Sequence, residues 1–184
     1  VSAGIAMGSA ADLSDTQEDA DIALYEAKRL GRNRCHVFGG PLRRRVEERK
    51  ILSDDLLIGL DRGEIVAHYQ PQICARTGAV IGVEALARWE HPRRGLLYPD
   101  EFLGIADDLG LISSIDQTVY LPAIDTGRRF SKTDTALPKV SVNVSLKRLA
   151  EAGDFLWLES AGTLPFQLSL EILETLDVDR DFES

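Results

Sequence analysis

Cysteine, histidine and methionine are scarce in this chain, and each scarcity narrows the chemistry. The two cysteines, Cys35 and Cys74, form no metal-type spacing and no disulfide framework, so a reducing, cytosolic setting is expected. The three histidines, His36, His68 and His91, have no ligand spacing either, and each reads as structural or surface. The one methionine is Met7, so no methionine-rich binding face is available. There is no basic excess. With a formal net charge of −9 over 184 residues, general DNA or RNA binding is not expected, while a local basic pocket for a small phosphate ligand is compatible. Long apolar runs are missing too: "LLIGL" (56–60) is far below the roughly 20 residues of a membrane helix. The opening residues lack the pattern of a secretory signal, and no internal repeat or low-complexity tract occurs.

What is present is ordinary globular material, 44% hydrophobic and 28% charged, enough for one sizeable core or for pieces of two domains. "VSAGIAMG" (1–8) reads as a strand already under way. "SDTQEDADIALYEAKRLGRNR" (14–34) reads as a helix, with Ser14 and Gln17 as a capping box and Gly31 at its C-terminal stop. "CHVF" (35–38) is a short strand, and "GGP" (39–41) breaks it. Residues 42–63 give a charged connecting helix. Beyond it, strands are expected at 65–73, 80–89, 139–145 and 166–172, and helices at 99–111, 113–130 (disturbed at Pro122) and 146–162. The abrupt beginning and the acidic end "DVDRDFES" (177–184) suggest a fragment of a longer polypeptide.

Alternation divides each strand into two faces. Ile81, Val83, Ala85, Ala87 and Trp89 oppose Glu84, Leu86 and Arg88. Val140, Val142 and Val144 oppose Ser141, Asn143 and Ser145, while Leu168, Leu170 and Ile172 oppose Gln167, Ser169 and Glu171. His68, Gln70 and Gln72 oppose Ala67, Tyr69 and Pro71. Strands that carry one apolar and one polar face, separated by helices, fit a barrel with an outer helical layer better than an open sheet covered on both sides. In a barrel, Gln70, Glu84, Asn143 and Glu171 converge toward the strand C-terminal ends. Two carboxylates and an amide oxygen suit Mg²⁺ or Mn²⁺, and Arg88 suits a phosphate. The plainer alternative stands beside this: a strand glutamate usually faces solvent, and a strand asparagine usually just hydrogen-bonds.

"EALARWEHP" (84–92), preceded by "YQP" (69–71) and followed by "PDEF" (99–102), "ADDLGLI" (106–112), "SVNVS" (141–145) and "LEILE" (170–174), resembles the EAL family of cyclic di-GMP phosphodiesterases, with its motifs in order. "ADIALYEAKRLGRNR" (20–34) is similar to the last helix of GGDEF diguanylate cyclase domains. The resemblance implies an α/β chain: a strand–helix–strand remnant of a GGDEF domain at 1–40, a linker helix at 41–63, and at 64–184 the N-terminal half of a (β/α)8 TIM-like barrel. It implies Glu84, Asn143 and Glu171 as ligands of a two-metal Mg²⁺ or Mn²⁺ site, and Glu174 as the glutamate that steadies an active-site loop. Gln70 and Arg88 would contact the dinucleotide, Arg88 through phosphate, and Leu86 would line the pocket. Leu173 stands where the family usually has threonine, and the segment 146–165 is somewhat short. In the cyclase remnant, Lys28 and Arg32 match residues that hold GTP phosphates.

The implied reaction is hydrolysis of cyclic di-GMP to pGpG by two-metal chemistry. The family's DDFG aspartates, lysine and later glutamate fall past residue 184, so residues 1–184 alone are expected to be inactive. The partners implied are cyclic di-GMP, GTP only through the incomplete cyclase part, and a second copy through the EAL part. No nucleic acid is implied, and any membrane tether would lie in upstream domains. Two alternatives remain open: a receptor that holds cyclic di-GMP without cleaving it, and a cyclase whose EAL part is regulatory.

Overall fold

The computed structural model describes residues 1–8, 13–132, 137–145 and 162–173. The helix expected at 146–162 lies outside them save for its last residue, and Glu174 lies outside them too. The chain divides into two compact units, Val1–Leu52 and Ser53–Ser184.

In the first unit, β1 (Ala3–Ile5) and β2 (Cys35–Val37) pair in parallel, and α1 (Leu13–Arg29) connects them. Ala23 and Ala27 of α1 are fully buried, because small side chains let the helix lie close to the strands. Gly4 shows how close: a Cβ there would stand 2.0 Å from the Ala20 carbonyl oxygen, which no side chain tolerates. Ser14 does not cap α1. It lies inside the helix, and its hydroxyl donates to Asp15 at 3.2 Å. The division between the units falls within α2 (Gly40–Asp61). In the first unit, α2 is tied to α1 by Arg43–Asp19 and Arg45–Glu26 ion pairs, both at 3.1 Å.

The second unit is built on a five-stranded sheet in which β3 (Ile65–Ile73), β4 (Val80–His91), β6 (Lys139–Ser145) and β7 (Gln167–Leu173) are neighbours in that order. The β4–β6 and β6–β7 pairs are parallel, whereas β3 and β4 form an antiparallel hairpin. This is part of a TIM-like barrel wall. The core lies on one face, where Val83, Ala85, Val140, Val142 and Val144 pack against Val119, Tyr120, Ala123 and Ile124 of α4 (Ile112–Phe130). Burying such aliphatic side chains is worth about 1.5–3 kcal/mol each. Pro122 does not break α4. It lies on the exposed face, where the Thr118 carbonyl that loses its helical partner can turn to water.

Strand β4 runs two residues past Trp89 and turns at "HPRRG" into a short strand missed by periodicity, β5 (Gly95–Leu97). Gly95 takes φ +76° in that turn, a left-handed conformation that side chains disfavour. Trp89 is fully buried, stacked edge-on to Phe102 of α3 (Pro99–Asp108), and its Nε1–H donates to Glu64 at 3.1 Å. The buried His91 ring accepts the Arg93 backbone N–H at Nδ1, at 3.1 Å, so its proton sits on Nε2 and donates to Asp55 of α2, at 3.2 Å. Arg93 grips the same carboxylate with bonds of 2.8 and 2.6 Å.

Burial tends to raise the Asp55 carboxyl, but hydrogen bonds from Arg93 and His91, together with the charge of Arg93, outweigh it and hold the group below the ordinary carboxylate range. A lowered folded-state value means a stabilising contribution that is present at neutral pH and lost as the carboxyl protonates. Asp55→Ala should therefore cost about 1–3 kcal/mol at pH 7 by stranding the His91 Nε2–H. Unfolding curves of the two proteins should draw together below about pH 4. A difference that does not change with pH would contradict this account.

Candidate functional site

Register, more than any single contact, assembles the polar face of this sheet. Gln70 of β3 lies opposite Glu84 of β4, Glu84 is in register with Ser141 of β6, and Asn143 of β6 is in register with Glu171 of β7. Gln70 and Glu84 thus form one rung, and Asn143 and Glu171 form the next, two residues further along β6 and β7, so the four make a staggered row across four strands. Gln70 is exposed, and the other three are partly buried. Asn143 Nδ2 donates to Glu84 Oε1 at 3.0 Å. The opposite amide orientation would set two oxygens against each other, so the carboxylate fixes which end of the amide faces it. Asn143 can then accept a cation only through Oδ1. Below this row, Gln72 Nε2 approaches Ser141 Oγ at 3.5 Å, and Ser141 is wholly buried.

Glu84 and Arg88 share a face, as alternation predicts, but they meet different partners. Arg88 NH1 donates to the Ala87 carbonyl at 2.7 Å, and its guanidinium carbon lies 4.8 Å from the centroid of the Tyr98 ring. Leu86 lines a cavity of about 270 Å³ with Glu84, Leu103, Ile115, Asp116 and Asn143. The cavity opens where β4 and β6 separate, because their pairing spans only Val83–Ala85 and Val140–Val142. Lys28 and Arg32 lie in the first unit, exposed at the end of α1, with Arg32 at φ 54°.

Among the described residues, no group of three or more His, Cys, Asp or Glu side chains could hold a metal ion. The row offers two carboxylates and one amide oxygen instead, all hard donors of the kind Mg²⁺ and Mn²⁺ take.

A family model for the EAL domain matches residues 53–183. The chain belongs to the EAL domain family. Glu84, Ala85 and Leu86 spell the letters that name it. The bifunctional diguanylate cyclase/cyclic di-GMP phosphodiesterase MucR of Pseudomonas aeruginosa is 40% identical over 135 residues, 73% of this chain and 20% of that protein. The cyclic di-GMP phosphodiesterase PdeR of Escherichia coli is 34% identical over 166 residues, covering 88% of the chain and 25% of the relative. The chain thus spans a fifth to a quarter of the length of these two curated relatives. The solved structure of PaMucR phosphodiesterase in complex with c-di-GMP superposes with a TM-score of 0.54 at 38% identity, over 60% of this chain and 45% of that one. An EAL domain protein from Listeria monocytogenes shares the fold, with a TM-score of 0.57 at 22% identity, over 68% and 50% of the two chains.

Two residues of this EAL domain escape sequence reasoning. Asp116 of α4 accepts both the backbone N–H and the hydroxyl of Ser145, at 2.9 and 2.7 Å, and so holds the end of β6 two residues beyond Asn143. An acid in the second turn of a helix carries no motif that would reveal this. Tyr98 becomes visible only once β5 is recognised, from Gly95 and the apolar pair Leu96–Leu97. Asp116→Ala should lower stability by about 1–3 kcal/mol, since it strands two donors of the buried Ser145, and Asp116→Asn should recover part of that loss. Chemical denaturation tests this, and wild-type stability for the alanine variant would contradict the brace.

Proposed function

We propose that the native protein carrying this sequence hydrolyses cyclic di-GMP to pGpG with a divalent cation, Mg²⁺ or Mn²⁺, bound by Glu84, Asn143 and Glu171. When bound, such ions lower the pKa of a bound water and offset charge on the phosphoryl oxygens. The Glu84–Asn143 contact supports this reading most directly, because it brings two of the three donors together on adjacent strands. Glu84 orients the Asn143 amide so that Oδ1 is its remaining donor atom toward a cation. Gln70, at one end of the row, and Arg88, four residues along β4 from Glu84, hold the dinucleotide. With NH1 bonded to Ala87, Arg88 retains N–H donors for a phosphate oxygen. Leu86 lines the pocket beside Glu84, and Glu174 serves as the glutamate that steadies an active-site loop.

We read residues 1–40 as the end of a GGDEF domain and residues 41–63 as the helix joining it to the EAL part. The parallel strand–helix–strand arrangement of that segment supports this. Lys28 and Arg32 would then be remnants of a phosphate site for GTP.

Turnover of cyclic di-GMP by the native protein provides the test. Glu84→Ala should reduce it by about 100-fold or more, as expected when several kcal/mol of charge stabilisation are lost. A chelator should abolish turnover, and added Mg²⁺ or Mn²⁺ should restore it. Unchanged turnover in the variant would overturn the assignment, and tight binding without turnover would favour a receptor.

A further inference from the structure

Arg88 emerges from β4 between two neighbours. On one edge, Val66 of β3 is its register partner. On the other edge, the antiparallel register runs His91 to Gly95, Glu90 to Leu96 and Trp89 to Leu97, so one further step sets Tyr98 across from Arg88. The guanidinium carbon duly lies 4.8 Å from the Tyr98 ring centroid, within cation–π range.

Tyr98 is itself held in place. Leu97 before it is buried, Pro99 after it opens α3, and Glu101 reaches back to accept the Tyr98 backbone N–H at 2.8 Å. That is the reciprocal bond of a helix-capping arrangement, and it leaves the phenol ring uninvolved in the cap. The ring is half exposed, so burial in the core does not explain why an aromatic residue stands there.

We propose that Tyr98 is the positioning residue for Arg88. It holds the guanidinium face-on, so that the donors not used on Ala87 are presented edge-on to a phosphate of the dinucleotide. A free arginine side chain samples many rotamers, and ordering it on binding costs affinity. Two contacts remove much of that cost beforehand: Ala87 fixes one nitrogen, and Tyr98 fixes the plane. The turn "HPRRG" and β5 serve this arrangement by folding the chain back so that an aromatic ring meets Arg88.

The proposal rests on the assignment of Arg88 to a phosphate of cyclic di-GMP. The test is equilibrium binding of cyclic di-GMP to the native protein, with steady-state kinetics in parallel. Tyr98→Leu should weaken binding about three- to tenfold, the range of a partly exposed cation–π contact, and should raise KM with little change in kcat. Tyr98→Phe should behave as wild type, because the ring face is retained. In an Arg88→Ala background, Tyr98→Leu should have no further effect. Tyr98→Gln, with an unfolding midpoint for each variant, guards against a leucine variant that folds poorly.

Wild-type binding by Tyr98→Leu and Tyr98→Gln would overturn the proposal while leaving the function intact, provided Arg88→Ala weakens binding. The same loss with and without Arg88 would also overturn it, because Tyr98 would then act on its own. Wild-type binding by Arg88→Ala would overturn the phosphate assignment and this proposal together.

Discussion

Strand β4 is hydrogen-bonded along both edges, to β3 from Val80 to Trp89 on one side and to β5 and β6 on the other. That double pairing commits each of its side chains to one of two faces, since a slip of one residue would exchange them all. Val83, Ala85 and Trp89 are buried against helices. A shift would put Glu84 and Arg88 into that apolar layer, at a cost no nearby partner could offset. The polar row therefore depends on the hydrophobic face: packing fixes the register, and the register puts Asn143 and Glu171 one step beyond Glu84 on the same face, within reach of it.

The surrounding contacts fix the ends of the strands. Asp55, His91 and Arg93 clamp the end of β4 to α2, with one carboxylate serving two donors. Asp116 performs the same service for the end of β6 from α4. Both braces lie near the strand C-terminal ends, where a barrel carries its chemistry. Rigid support of that kind is what a set of metal or phosphate ligands needs, because small displacements weaken it.

Much of this was legible in the sequence, and the reason lies in periodicity. The alternation over 80–89 and 139–145 separates apolar from polar positions, and the structure buries Val140, Val142 and Val144 accordingly. Alternation does not report how deeply the polar face sits, so burial of Ser141 and Ser145 came only with the fold. β5 was missed because three residues carry no period. Pro122 was overweighted, since its exposed position in α4 removes most of its cost. The capping role expected of Ser14 did not materialise, because the helix already contains it. Asp116 and Tyr98 act through tertiary partners far away in sequence, which no local pattern encodes. The family resemblance, by contrast, was carried by several short motifs in order, and the match over residues 53–183 agrees with it.

The central claim is that the row on β4, β6 and β7 is a divalent-cation site. The direct measurement is a crystal structure of the native protein soaked with Mn²⁺, with the ion located by its anomalous scattering. The account predicts an anomalous peak within coordination distance, about 2.0–2.3 Å, of oxygens from Glu84, Asn143 and Glu171. A peak elsewhere, or none at this row under saturating Mn²⁺, would contradict it.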